Sequence, residues 1–536
     1  MLTDLLPIYS INMFSTPLRL STLEALLLFV LIFYSSILLQ ANIFSGPKAH
    51  YVSTRGNDMN EGTKAEPWRT IEKVNSYRIK PGDSILFEGG KTFYGSIKID
   101  STQFGTAKDP ILISSYKSGW ATIQAGQGNA LDLSNTSHIL VKRLVLHGDG
   151  RKNGNHECGL IVNNCIYTHL DSIDISGFQK AGLFVYESQY MEITNIFSHD
   201  NGAAGISVEA PFNTRKSQQI HFAYCRSENN PGDPTNLVNH SGNGIVVGHC
   251  SKVLIEYCTA TNNGWDMPRK GNGPVGIWCY EADSVIIQHC ISYRNKTSVG
   301  SDDGGGFDLD GGVTHSIIQY CLSYENQGSA FGIFQYDGAS PWSDNTIRYN
   351  ISENDGAISA AHSAIYIWNN SKDSAQFANC LFYNNIIYNA RGVAIHYSNE
   401  SDRKSFKFYN NIFVAQDSLI TGKMGNDRFG GNDWWSISTQ FNMDGNKDFA
   451  NWVLKGRKEL INGEITGYNI DPQFSDLAHS MVVDPQKLKQ FINYKSIGSS
   501  PLQNGGINLK AIFGIDSGDI NFNGKSILQN SIGACF

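Results

Sequence analysis

The sequence predicts an all-β chain wound as a β-solenoid, and three observations carry that expectation. First, the segments HFAYCRSENN, LIEYCTATNN, IIQHCISYRN and IIQYCLSYEN align without gaps. They place Cys225, Cys258, Cys290 and Cys321 in one column, with Asn230, Asn263, Asn295 and Asn326 five residues later. The pairs Ile196/Asn201 and Cys380/Asn385 keep the same spacing. Second, a small residue opens a short strand nine times, at Gly159, Gly182, Gly205, Gly244, Gly276, Gly306, Ala330, Ala364 and Gly392. Third, only 17% of residues are charged and 53 are glycine, a balance that suits turns and strands better than helices. Repeats of one short coil, made of strands and turns, stack rung on rung. Helical repeats would need a 3.6-residue period, which these segments lack. A propeller needs four strands in roughly 40 residues, longer than most steps here.

In chain order, residues 1–41 come first. Arg19 precedes the apolar run Leu23 to Ala41, which Ser35 and Ser36 interrupt. That pattern reads as a signal peptide cleaved near Ala41, or as an uncleaved signal anchor, and implies export. An anchor of this kind is the only membrane contact expected. Residues 42–125 hold the N-terminal cap and first coils, since a solenoid needs its open end covered. Thr70 to Tyr77 has the pattern of a short amphipathic helix in that cap, and Pro81 to Gly90 starts the first coil. Residues 126–417 are the central coils. Residues 418–536 are the C-terminal coils and cap, where the ladder fades and the aromatic, charged stretch from Trp434 to Glu459 suggests a helix or an excursion. No flexible linker interrupts this order, so one elongated domain, acting as a monomer, is expected. The chain has ten cysteines, and the repeating column of them reads as an inward stack of free thiols, with Cys535 outside it. A disulfide between neighbouring rungs would need side chains turned toward each other.

Alternation along each strand separates two faces. Inward positions are Leu160, Leu183, Ile206, Ile245, Ile277, Phe307, Phe331, Ile365 and Val393, almost all apolar, with their partners two residues on. The outward face carries Glu209, Trp278, Tyr280, Asp308, Asp310, Phe334, Tyr366, Trp368 and His396. Aromatic rings presented this way stack on sugar rings, unless loops cover them and they serve only packing. Rungs about 4.8 Å apart would let the strip span several sugar units. Between the aromatic rungs, Asp302, Asp303, Asp308 and Asp310 crowd around three glycines. Asp308 and Asp310, two residues apart, have Cα atoms about 6.5–7 Å apart. Side-chain reach then brackets the roughly 5–9.5 Å carboxyl separations of glycosidases. One carboxyl would protonate the leaving oxygen while the other attacks the anomeric carbon or activates water. Asp303 is able to replace either, and Glu209, Glu281 and Asp337 are more distant candidates. An Asp–Gly-rich turn also offers oxygen ligands for calcium, with Asp302 and Asp303 as the ligands. Lys270 and Lys296 are candidates for a lyase base or a uronate grip. With 42 basic against 49 acidic residues, a nucleic-acid surface is excluded. No phosphate loop, zinc-spaced Cys/His set or serine nucleophile motif survives the repeat assignment.

The stretches YVSTRGND and EPWRTIEKV, followed by PGDSILFEGG, resemble the opening of the pectate-lyase-like right-handed parallel β-helix proteins. The likeness is to the group holding the family 9 polysaccharide lyases and several β-helix glycosidases. DPQF, SSPLQNGG and SIGA are similar to the usual ending of that group. The resemblance implies a single-stranded right-handed parallel β-helix. In family 9 lyases a D-G-F-x-x-K rung carries calcium-binding aspartates and a lysine that takes the proton beside a uronate carboxyl. The nearest match is GGFDLD: Phe307 fits, and Asp310 stands at the lysine's place. The expectation is an exported enzyme that cleaves a polysaccharide through a carboxylate pair. Calcium-dependent β-elimination and a non-catalytic glycan-binding solenoid are the alternatives.

Overall fold

A computed structural model describes residues 49–535, apart from 357–362, 399–401, 444, 478–480 and 528–529. The expected signal segment lies outside the described residues. No described helix is long and apolar enough to cross a membrane. Among the described residues the chain divides into a larger unit, 49–508 with 520–535, and a smaller one, Leu509–Asp519. The described part of the smaller unit carries a short helix, Leu509–Phe513.

The larger unit is a right-handed parallel β-helix. Its described strands form a wide sheet of 24 and a narrow sheet of 12. The narrow sheet takes one strand from each coil, from Ile97–Ile99 to Ile420–Thr421, all parallel to their neighbours. Side chains alternate along it. Leu183, Ile206, Ile245, Ile277, Phe307, Phe331 and Ile365 stack in register and are buried in the core. The small-residue column has a steric cause. Ser198 Oγ donates to Gly205 O at 2.7 Å, and Ser292 Oγ donates to Gly306 O at 2.7 Å. Any Cβ at Gly205 would fall 2.0 Å from Ser227 Oγ.

The wide sheet bends at columns of non-glycine residues in the left-handed region, among them Asn195, Tyr224, Tyr257, His289, Tyr320 and Tyr349. Such corners carry a backbone penalty for residues with a Cβ. Here the rings of Tyr224, Tyr257, His289, Tyr320 and Tyr349 stack on one another along the column, 5.0–5.7 Å between centroids. Just inside, Asn201, Asn230, Asn263, Asn295 and Asn326 pass amide hydrogen bonds from coil to coil, ending on Asp355. All ten cysteines are free, nine of them buried.

Two alignments differ from expectation. Asn385 belongs to the cysteine column: Cys321 is followed by Asn350, Asn385, Asn411 and Asn432. Cys380 instead opposes Asn345. Asparagine replaces cysteine there because the side-chain amide bridges rungs as the first ladder does. The second difference is at Val393, which pairs with Ser363, while Ile395 takes the inward place opposite Ile365. A slip of two residues keeps the same face outward, so the sequence period cannot see it.

The ends are closed. The cap helix spans Ile71–Ser76, with the Thr70 side chain accepting from Lys73 N and with Ile71 and Val74 buried. Rather than departing at Trp434, the coils run on through Asp433–Ser436, where Trp434 stacks on Phe413. The helix expected within Trp434 to Glu459 is present at Phe449–Gly456.

Candidate functional site

A cavity of about 1010 Å³ opens over the outward face of the narrow sheet. Seven successive coils line it, from the strand Ala181–Tyr186 to the strand Ser363–Asn369. Asp308 and Asp310 stand on the fifth. At about 4.8 Å per rung the lined floor is about 29 Å long.

Asp308 lies on the strand Gly305–Leu309, between Trp278 and Gly332 of the neighbouring coils. From within, Trp342 Nε1 donates to Leu309 O at 3.0 Å and fixes that strand. Gly332 makes room: a Cβ there would meet the Phe334 ring at 2.8 Å and the Asp308 carboxyl carbon at 3.0 Å. Asp310 follows the strand, its backbone N–H bonded to Cys279 O and its carboxylate accepting from Gly311 N at 2.7 Å. Asp303 sits in the preceding turn in a left-handed conformation and accepts from Gly273 N at 2.7 Å. Gly304, the next residue, must be glycine: its φ is +80° and a Cβ would lie 2.8 Å from the Lys296 carbonyl carbon. Asp302 lines the mouth and is exposed.

Burial dominates the electrostatics. It pushes Asp308 well above the usual carboxylate range, with Asp310 and Asp303 adding repulsion. Asp303 is pushed up to about 7 by burial, against the Gly273 hydrogen bond. Asp310 is raised to about 6 by burial, with the Gly311 N–H pulling down and Glu281 pushing up. Three coils away, Glu209 is raised to about 7 by burial, although Tyr280 Oη donates to it at 2.6 Å. These carboxyls therefore hold protons near neutral pH where free ones would not.

The aromatic strip is present but deeper than expected. Trp278 is only 3% exposed: it packs on Ala181, Ala204, Val246 and Val275, and its Nε1 donates to Asn243 Oδ1 at 3.1 Å. The loop before the strand Asn243–Gly248 brings His240 against it, 5.0 Å between ring centroids, so the ring forms wall rather than open platform. Tyr280, Phe334, Tyr366 and Trp368 are half-buried and line the cavity. His396 does not line it. The register shift sets it opposite Tyr366, and it bonds Thr421 Oγ1 at 2.7 Å. Neither Lys270 nor Lys296 lines the cavity, and Glu281 and Asp337 are also outside its wall. The lysine that does is Lys180, paired with Asp233 at 2.5 Å. Burial holds His240 down to about 4, and thus neutral.

Sequence reasoning missed Tyr336, which covers Gly311 beside Asp310. Extending the alternation past Phe334 by one step would have found it. Asn243, His240 and Lys180 left no periodic signal.

Asp302 and Asp303, the candidate calcium ligands, are neighbours in the turn that precedes the Asp308 strand. Among the described residues no three His, Cys, Asp or Glu side chains are grouped to hold an ion. Asp303 also spends a carboxylate oxygen on Gly273 N.

A parallel β-helix carrying carboxylates on the face of one sheet is the class this geometry defines. The family model "Pel9A-like, right handed beta helix region" matches residues 50–362, and the chain belongs to that family. A lacto-N-biosidase of Bifidobacterium longum is 31% identical over 140 residues, 25% of this chain but 8% of that protein's length. The GH136 lacto-N-biosidase of Eubacterium ramulus superposes with a TM-score of 0.46 at 18% identity, covering 70% of this chain and 68% of that one. Pectate lyase Pel9A superposes with a TM-score of 0.47 at 14% identity, covering 91% of this chain and 97% of that one.

Proposed function

We propose that this protein is an exported glycoside hydrolase that cleaves an uncharged glycan bound along the cavity. One observation carries the reading: protonatable carboxyls gather in a cavity whose one lining lysine is already held by Asp233. A uronate chain would meet carboxylates there without an unpaired cation among the described lining residues. An uncharged glycan meets aromatic rings and hydrogen-bonding carboxyls.

Asp308, kept protonated by burial, donates to the glycosidic oxygen. Asp310, ionised to a larger extent and steadied by Gly311 N–H, attacks the anomeric carbon or draws a proton from water. Asp303 is the substitute for either role. Tyr280, Phe334, Tyr366 and Trp368 stack against sugar rings on either side, with Trp278 as wall and Glu209 as a hydrogen-bonding partner farther along. The apolar run before Ala41 supports export.

The test is a panel of neutral and uronate glycans read for new reducing ends and for ultraviolet absorbance of unsaturated products. Reducing ends alone are expected, insensitive to chelator, with Asp308→Asn and Asp310→Asn each losing about 10²–10⁴-fold. Unsaturated product, or activity lost in chelator and retained in Asp310→Asn, would establish a calcium-dependent lyase instead. Binding without cleavage of any glycan would leave a glycan-binding solenoid.

A further inference from the structure

Beside the main cavity lies a much smaller space of about 10 Å³. Val275, Phe307, Phe334 and the Tyr366 ring give it walls, and Asp303, Asp308, Ser329 and Tyr366 are the lining residues with polar side-chain atoms. Asp303 and Asp308 line both spaces. Two buried atoms at this wall make no hydrogen bond, Asp308 Oδ1 and Ser329 Oγ. Their residues are 2% and 5% exposed.

Buried polar atoms are nearly always paired, and each exception calls for a partner. Two exceptions meet on one space here. A buried water needs about 10–15 Å³ and two to four polar neighbours. The space meets the lower bound and supplies a carboxyl oxygen and a hydroxyl, with the Asp303 carboxyl at the same wall. A sugar ring is too large for it, and calcium would require six to eight oxygens.

We propose that this pocket holds one water molecule and that Ser329 is a positioning residue for Asp308. The water donates to Asp308 Oδ1 and accepts from the Ser329 hydroxyl. With Oδ1 occupied as an acceptor, the acidic proton of Asp308 is kept on its other oxygen, which serves the main cavity. No bond is made or broken at the water. The catalytic consequence rests on the assignment of Asp308 as the acid.

A high-resolution crystal structure of the unaltered protein tests the site directly. Density for one water within hydrogen-bond distance of both Asp308 Oδ1 and Ser329 Oγ is expected. An empty space, or Ser329 Oγ turned to a protein partner, would overturn the proposal. Kinetics test the role. In Ser329→Ala, kcat is expected to fall about tenfold with KM within about twofold, since the loss falls on the transition state. An unchanged kcat, or a loss of kcat, KM and melting temperature together, counts against positioning. Should Ser329→Ala not fold, or should the protein hydrolyse no glycan, the density in the unaltered protein still decides whether the water is there. The second case would remove the hydrolase reading and leave the site standing.

Discussion

Gly332 shows how much of this site depends on an atom that is not there. Its missing Cβ leaves space for both the Asp308 carboxyl and the Phe334 ring. Gly332→Ala is therefore expected to overpack that contact at a cost of about 1–3 kcal/mol, and to lower kcat by displacing the carboxyl. Melting and steady-state kinetics on one sample check both effects, and full activity would show that the ring yields instead. Asp308 and Asp310 were legible from alternation alone, because a strand puts residues two apart on one face. Trp278 was legible as a lining residue but not as a buried one. The cover over it comes from His240, on a loop with no period, and from Asn243 at the start of the strand that follows. Ser329 gave no signal either, because its significance is a space shared with Asp308 from a different coil.

The asparagine ladder is the element that sets the coils in phase. Asn295 Nδ2 donates to Asn326 Oδ1 at 2.9 Å, and Asn295 Oδ1 accepts from Asn263 Nδ2 at 2.9 Å. Asn295→Ala strands donors and acceptors on both neighbours, at about 1–3 kcal/mol for each orphaned group. A loss of about 3 kcal/mol or more is expected in denaturant unfolding, and a change under 1 kcal/mol would mean that the neighbours rebond across the gap. This ladder was readable because its members recur with the cysteines. The second ladder, Asn350 to Asn432, was not read, and spacing alone matched its member Asn385, with Cys380, to the first. The two ladders share residue type and differ only in which corner they occupy, which hydrogen bonding decides and the period does not. The capping helix was legible from its own amphipathic pattern. The continuation to Trp434 was not, because the aromatics of the last coils look like a change of structure when they are the same core with larger residues.

At the scale of the whole molecule, the larger unit carries several buried acids whose folded state favours the proton. Burial pushes Asp355 up to about 7, Asp433 up to about 8 and Glu459 up to about 7, beside Asp303, Glu209 and Asp310. Unfolded, each would ionise near pH 4. Between pH 4 and about 8 the folded state thus binds more protons than the unfolded one, so these groups make stability fall as pH rises. The thermal midpoint is expected to be lower at pH 8 than at pH 5.5. Asp355→Asn should lessen that slope, because the amide preserves the acceptor that Asn326 uses and cannot ionise. An unchanged slope in this variant would show that Asp355 is not a contributor. Hydrolysis that depends on a protonated Asp308 should decline once rising pH ionises that carboxyl, which burial delays well beyond the usual carboxylate range. The ladder has one more consequence, which concerns how such a molecule diversifies. Successive ladder residues lie 29, 33, 32, 31 and 29 positions apart, yet their amides meet at every step. The extra residues are let out between ladder and narrow sheet: Asn201 is followed almost at once by the strand Ala204–Glu209, whereas Asn230 reaches the strand Asn243–Gly248 only after the loop bearing Asn239 and His240. Insertions at that seam reshape the cavity wall without changing the winding, so ancestry can keep the spine while selection rewrites the lips of the groove.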